Sequence, residues 1–197
     1  MKKIIFITCL LFLFLTSCSG RYEKNGDTWS WITTNEGGQN TKELVTDLST
    51  FEVLDDETYA KDKHHVFRKG SIIEGADPKT FEVISSTDYA KDAAHVYFNS
   101  FKIIHADPQS FEILEVPYSK DHQFIFCGNL PIDVVNIDEF KVTKSDESLG
   151  YSSKEQFMKW NEGFEWLDTV EARTIVVGGR GEGKAGDNKY KGVHLVD

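Results

Sequence analysis

The chain is poor in cysteine, proline and positive charge. Three Cys among 197 residues cannot build a dense disulfide framework. Lys and Arg number 22 against 32 Asp and Glu, a net charge of −10. That balance argues against nucleic acid as a partner and against a polybasic membrane patch. The longest apolar run, Ile4 to Thr16, falls short of the roughly 20 residues that a spanning helix needs. What is present is a substantial apolar complement. With 40% hydrophobic and 13% aromatic residues and only 4 Pro, the chain is no disordered polymer, and it is long enough for one domain with a real core.

The N-terminus reads as an address. Lys2 and Lys3 form a positive segment, and Ile4 to Thr16 has the length of the apolar region of a secretory signal. The run closes on Leu15-Thr16-Ser17-Cys18. This resembles the lipobox of bacterial lipoproteins, an aliphatic residue and two small ones before an obligatory Cys. The resemblance implies acylation of the Cys18 thiol, cleavage before it, and stable membrane attachment through two or three acyl chains. Ser19 rather than Asp follows, which in enteric bacteria implies the outer membrane. The expected organisation is a signal peptide over 1–17, a lipidated tether over 18–21, a β-repeat domain over 22–146 and a C-terminal extension over 147–197 packed on the repeats. Once Cys9 is removed and Cys18 lipidated, Cys127 stands alone in the strand-like run Phe124–Cys127, where a buried, inert thiol is expected.

The body repeats itself. Phe51, Phe81, Phe111 and Phe140 recur at intervals of 30, 30 and 29, each followed by a Glu-Val-like pair or its variant. Tyr59-Ala60-Lys61-Asp62, Tyr89-Ala90-Lys91-Asp92 and Tyr118-Ser119-Lys120-Asp121 follow in register, then an aromatic strand and a tight turn at Lys69-Gly70, Asn99-Ser100 and Gly128-Asn129. Asp77-Pro78 and Asp107-Pro108 signal a turn or helix start before the next Phe. Tyr22–Asn25 and Trp29–Trp31 extend the pattern backwards. These blocks resemble the DKNYY repeat family of bacterial envelope proteins over roughly Tyr22 to Val142. The Asn of the family's name motif is missing here, and its Tyr-Tyr becomes Val66-Phe67 or Val96-Tyr97. The resemblance implies an architecture and no catalytic residues. A 30-residue unit cannot bury its own apolar face, so the expected fold is mainly β: tandem hairpin repeats stacked into a β array, with one C-terminal helix and a terminal β hairpin.

Beyond about Asp146 the pattern breaks. Capping-box spacing at Ser152–Gln156 and the series Phe157, Trp160, Phe164, Leu167 predict a helix over 153–166 that caps the array. Thr174–Val177 reads as a strand, and Gly178 to Asn188 as a Gly-rich loop.

Several motifs invite chemical readings. Gly178 to Lys184 has P-loop spacing, but Ala185 replaces the hydroxyl residue that holds Mg²⁺, and no helix follows. No nucleotide and no cofactor is expected. His65 and His95 are repeat equivalents, with His64 and His122 nearby, yet stacking spreads equivalent side chains along an axis, and no metal site is expected. The repeated Asp62, Asp92 and Asp121 read as corners bonded to their own backbone rather than as an acid/base pair. Phe51, Phe81, Phe111, Phe140, Tyr59, Tyr89 and Tyr118 read as structural repeat positions. The expected function is therefore a lipid-anchored envelope protein without catalytic activity, held to the membrane through Cys18. It would contact a protein or an envelope polymer, with an inhibitor or immunity role as one form. The alternative is an envelope hydrolase acting on glycan or peptidoglycan through Glu165, Asp168 or Glu171.

Overall fold

Short alternating segments separated by turn residues favour strand over helix, and the computed structural model, which describes residues 20–85, 88–146, 149–150 and 178–196, is built from small antiparallel sheets. Three consecutive units share one plan. The second unit of the array holds β4 (Glu52–Val53), β5 (Tyr59–Lys61), β6 (Val66–Arg68) and β7 (Ser71–Ile72). The third holds β8 (Glu82–Ser85), β9 (Tyr89–Lys91), β10 (Val96–Phe98) and β11 (Phe101–Lys102). The fourth holds β12 (Glu112–Ile113), β13 (Tyr118–Lys120), β14 (Ile125–Cys127) and β15 (Leu130–Ile132). In each, the strands lie side by side in chain order. Ala60 faces Phe67, Ala90 faces Tyr97 and Ser119 faces Phe126 in the same register. Small residues there leave room for the aromatic ring opposite.

The first unit is a three-stranded meander: β1 (Gly20–Asn25), β2 (Thr28–Asn35) and β3 (Gly38–Leu44). Tyr22 pairs with Trp31 as Tyr59 pairs with Arg68. Gly20 and Arg21, assigned above to a tether, are already in the ladder opposite Thr33 and Ile32.

The array has a fifth unit, which the sequence analysis only began. After a 3-10 turn at Ile137–Glu139 comes β16 (Lys141–Lys144), and its partner lies far along the chain. β17 (Leu149–Gly150) pairs with β18 (Gly178–Gly179), and then β19 (Glu182–Ala185), β20 (Asn188–Lys191) and β21 (His194–Val196) complete the sheet in the order β16-β19-β20-β21. Val142 faces Gly183 and Gly183 faces Tyr190, the register of Val53, Ala60 and Phe67. The segment read as a Gly-rich loop is thus a central strand, and residues 182–196 belong to the repeat array rather than to an appended extension. Glycine stands at 183 because a Cβ there would come within 2.4 Å of the Phe140 ring. The helix expected over 153–166, with Phe157, Trp160, Phe164 and Leu167, and the strand expected at 174–177 lie outside the described residues. Among the described residues the 3-10 turn is the only helical element.

The core sits between units rather than within them. Tyr59, Val66 and Ile73 pack with Phe81, Ala90 and Tyr97 of the next unit. Tyr89, Val96, Phe98 and Ile103 pack with Phe126. Tyr118, Ile125, Cys127 and Leu130 pack with Phe140, Ala185, Tyr190 and Val193. Each repeated Phe is inserted between its own unit's aromatic and the preceding unit's Tyr. Phe81 lies 5.8 Å from Tyr59 and 6.0 Å from Tyr97; Phe111 lies 5.8 Å from Tyr89 and 6.3 Å from Phe126. Phe51 bridges Tyr22 and Phe67 in the same way, and Phe140 bridges Tyr118 and Tyr190. Aromatic pairs at such separations add to the stabilisation from buried area.

Candidate functional site

The repeated polar residues hold the array together. Asp62 accepts the backbone N–H groups of His64 and His65 at 2.7 Å each, closing its own corner, and with its other oxygen that of Asp47, fifteen residues back, at 2.8 Å. Asp121 does the same for Gln123, Phe124 and Asp107. Asp92 takes Ala94, His95 and Asp77, and in addition the Tyr97 hydroxyl at 2.7 Å. The corner carboxylate is therefore also a clasp on the turn that enters its unit. Those entering turns are built by Asp47, Asp77, Asp107 and Asn136, whose side chains each accept the N–H two residues on. The neighbouring Lys of the motif points elsewhere: Lys61, Lys91 and Lys120 pair across the sheet with Glu52, Glu82 and Glu112 at 3.2–3.3 Å.

Burial raises the Asp62 and Asp92 carboxyls, but the donors aimed at them outweigh it, so both are held below the ordinary aspartate value. A carboxyl depressed by folding stabilises the native state above its unfolded pKa, about 3.9, and that contribution is lost as pH falls through the lower folded value. Stability should accordingly be level above about pH 5 and fall steeply in more acidic solution. Melting curves between pH 2 and pH 7 check this, and Asp62→Asn should flatten the acid limb.

Tyr22, Tyr89 and Tyr118 hook onto the following unit, whereas the buried Tyr59 hydroxyl has no hydrogen-bond partner among the described residues. Tyr22 donates to Thr58 O at 3.3 Å and also accepts from Gly70 N at 3.1 Å, while Tyr89 donates to Pro117 O at 3.2 Å. Tyr118 donates to both Gly181 O at 2.9 Å and Gly192 O at 3.0 Å, drawing together the two sides of β19 and β20. Burial pushes the Tyr22 and Tyr59 phenols up to about 12 and raises Tyr89 and Tyr118 as well. Tyr118→Phe leaves two buried carbonyls without this donor and should cost about 1–3 kcal/mol in urea unfolding. Tyr22→Phe, at a half-buried site open to water, should cost less.

One unit departs from the others. In the third unit the Lys102 amine on β11 lies 3.2 Å from His95 Nε2, and His95 Nδ1 lies 3.6 Å from Asp92 Oδ1. Lys102 is half-buried beside Gly75, where a Cβ would come within 3.0 Å of its amine. Burial lowers the Lys102 amine below its usual range, against the pull of Asp92. Burial first, and the Lys102 charge second, lower His95. The second unit repeats the Asp62–His65 pair at 3.7 Å but has Ile72 where Lys102 stands. The fourth has Phe124 and Pro131 at the two positions.

The remaining motifs are placed as follows. Lys184, the last residue of the P-loop spacing, is exposed on β19 opposite Lys141 and Lys189. Cys127 is fully buried opposite Tyr118. His122 Nδ1 lies 2.8 Å from Ser110 Oγ and 3.3 Å from Asp107. Among the described residues no three His, Cys, Asp or Glu converge as metal ligands. An apolar depression of about 320 Å³ lies between Phe124 and the segment Ile132–Ile137 of the fourth unit, and Val135 on its wall is exposed. Cys18, Glu165, Asp168 and Glu171 lie outside the described residues.

Stacked antiparallel units that share their core, their repeated Phe and Tyr positions and their Asp clasps define a tandem β-repeat protein. The chain belongs to the DKNYY family, whose model matches residues 20–101 and 89–191. No curated protein and no solved structure matches the chain.

Proposed function

We propose that this is a lipid-anchored bacterial envelope protein, exported by the signal at residues 1–17 and held by acyl chains on Cys18. It works as a non-catalytic module that binds a protein or an envelope polymer. In a Gram-negative host the outer membrane is its place. The observation that carries the reading is that the repeated carboxylates are spent on the fold. Asp62, Asp92 and Asp121 each accept three backbone N–H groups, which leaves the exposed surface of the array to make contacts. Val45, Val135, Ile72 and Leu195 are apolar side chains on that surface.

Cys18→Ala should abolish labelling by radioactive palmitate and leave uncleaved or mislocalised precursor. Normal labelling of the variant would defeat the anchor. Purified protein should release no fragments from cell-wall glycan on prolonged incubation. Sustained release, lost in Glu165→Gln, Asp168→Asn or Glu171→Gln, would defeat the non-catalytic reading.

A further inference from the structure

The repeats serve as internal controls for one another, so a residue present in one unit and absent from its equivalents calls for an explanation. Corner, clasp and core form in the second and fourth units without a basic residue at positions 72 and 131. Lys102 is therefore not demanded by the array.

We propose that Lys102 is a nucleophilic amine that captures an activated acyl group, with His95 as its base and Asp92 as the residue that orients His95. Nδ1 of His95 is buried, makes no hydrogen bond among the described residues, and lies 3.6 Å from the Asp92 carboxylate. A lone pair at Nδ1 would oppose an anion, so the ring proton sits there and Nε2 presents its lone pair to the amine at 3.2 Å. Asp92 is itself fixed by three N–H groups and the Tyr97 hydroxyl, and Tyr97 also reaches Gly75 O at 3.2 Å. Nucleophile and base are thus in contact, and Asp92 positions the base through the His95 backbone N–H and the nearby carboxylate charge. The depressed basicity of Lys102 adds to this by raising the fraction of amine that carries a free lone pair.

The reaction balances without a further reagent. The neutral amine attacks the carbonyl carbon of an ester, thioester or anhydride. A C–N bond forms and the bond from carbonyl carbon to leaving group breaks. The proton shed by nitrogen passes to His95 Nε2 and on to the leaving group, and an amide remains on Lys102. This goes beyond the binding role proposed above and does not depend on it, since a single capture is not turnover.

Trace acetylation of the full-length protein with acetic anhydride, read lysine by lysine by mass spectrometry across pH 6–11, tests it. At pH 7 Lys102 should acetylate on the order of tenfold faster than exposed Lys24, Lys69 and Lys184, a modest effect beside the roughly 10²–10⁴-fold typical of general-base catalysis. Its rate should also rise at lower pH than theirs. His95→Gln should bring Lys102 back to the rate of the exposed lysines. Ile72→Lys, which places an amine beside His65, should create a second fast lysine without disturbing the third unit. Lys102 labelled no faster than Lys24, or labelled fast but unaffected by His95→Gln in a protein that still melts cooperatively, would overturn the proposal. Failure of Cys18 labelling would leave this result unchanged, so the two readings fail separately.

Discussion

Asp92→Ala is expected to destabilise the protein by about 3–5 kcal/mol, more than Asp62→Ala or Asp121→Ala. Each orphaned buried donor costs about 1–3 kcal/mol, and neighbouring donors share rather than add their losses. Asp92 serves four donors: the N–H groups of Asp77, Ala94 and His95 and the Tyr97 hydroxyl. Asp62 and Asp121 serve three each. The Asp77 N–H also marks where the third unit is clasped, so the damage falls in the middle of the array, where units lie on both sides. At about 2–4 °C per kcal/mol for a chain of this size, the melting midpoint should drop by roughly 6–20 °C. Asp92→Asn keeps the shape but turns an amide toward donors, and should recover only part of the loss. Three variants that melt like the parent would show that the clasps are decorative.

Gly70→Ala should be the most damaging glycine substitution, at about 2–5 kcal/mol. Gly70 has φ +72, a region that costs other residues about 1–2 kcal/mol. Its added Cβ would also stand 2.4 Å from Cβ and 3.0 Å from Cγ of Trp31. Those are the root of the indole and not its flexible end, so relief requires the first unit to move against the second; overpacking of this kind costs about 1–3 kcal/mol. The equivalent turn residues, Ser100 and Asn129, carry side chains because no Trp31 lies over them and their φ is not positive. Gly26→Ala is the control: φ is +59 and nothing lies within 4 Å of the new Cβ. The difference between the two in denaturant unfolding measures the contact alone, and equal values would refute it.

Much of the array was legible because the same residues meet the same demand every 30 positions. Phe51, Phe81, Phe111 and Phe140 announced the period, and Tyr59, Tyr89 and Tyr118 announced the strand beneath it. What escaped depends on register or on distance along the chain. Lys61 beside Asp62 looks like a pair in sequence, but alternation sends the Lys across to Glu52 and the Asp inward. The fifth unit was hidden because residues 145–181 separate Lys144 from Glu182, and because Gly181 and Gly183 weaken any strand signal. His95 and Lys102 stand seven residues apart and meet only through the β10–β11 turn. The signal for them was the comparison of positions 72, 102 and 131, where one base stands among an Ile and a Pro.

The split of the fifth unit has a consequence for how the molecule is made. The second, third and fourth units each close on a span of 21 residues from first strand to last, short enough for each to form soon after its last strand becomes available. The last sheet must wait, since Lys141 finds its partner only at Lys184 and Tyr190 completes the packing on Phe140. Closing the longer loop adds only a modest entropic cost. It does fix the order of events for a chain that emerges with its N-terminus leading: four units are complete while the final interface, with Ile104, Tyr118 and Leu130 beneath it, is still open to water. That open end is where an assembling chain is most exposed to a chaperone or to another copy of itself.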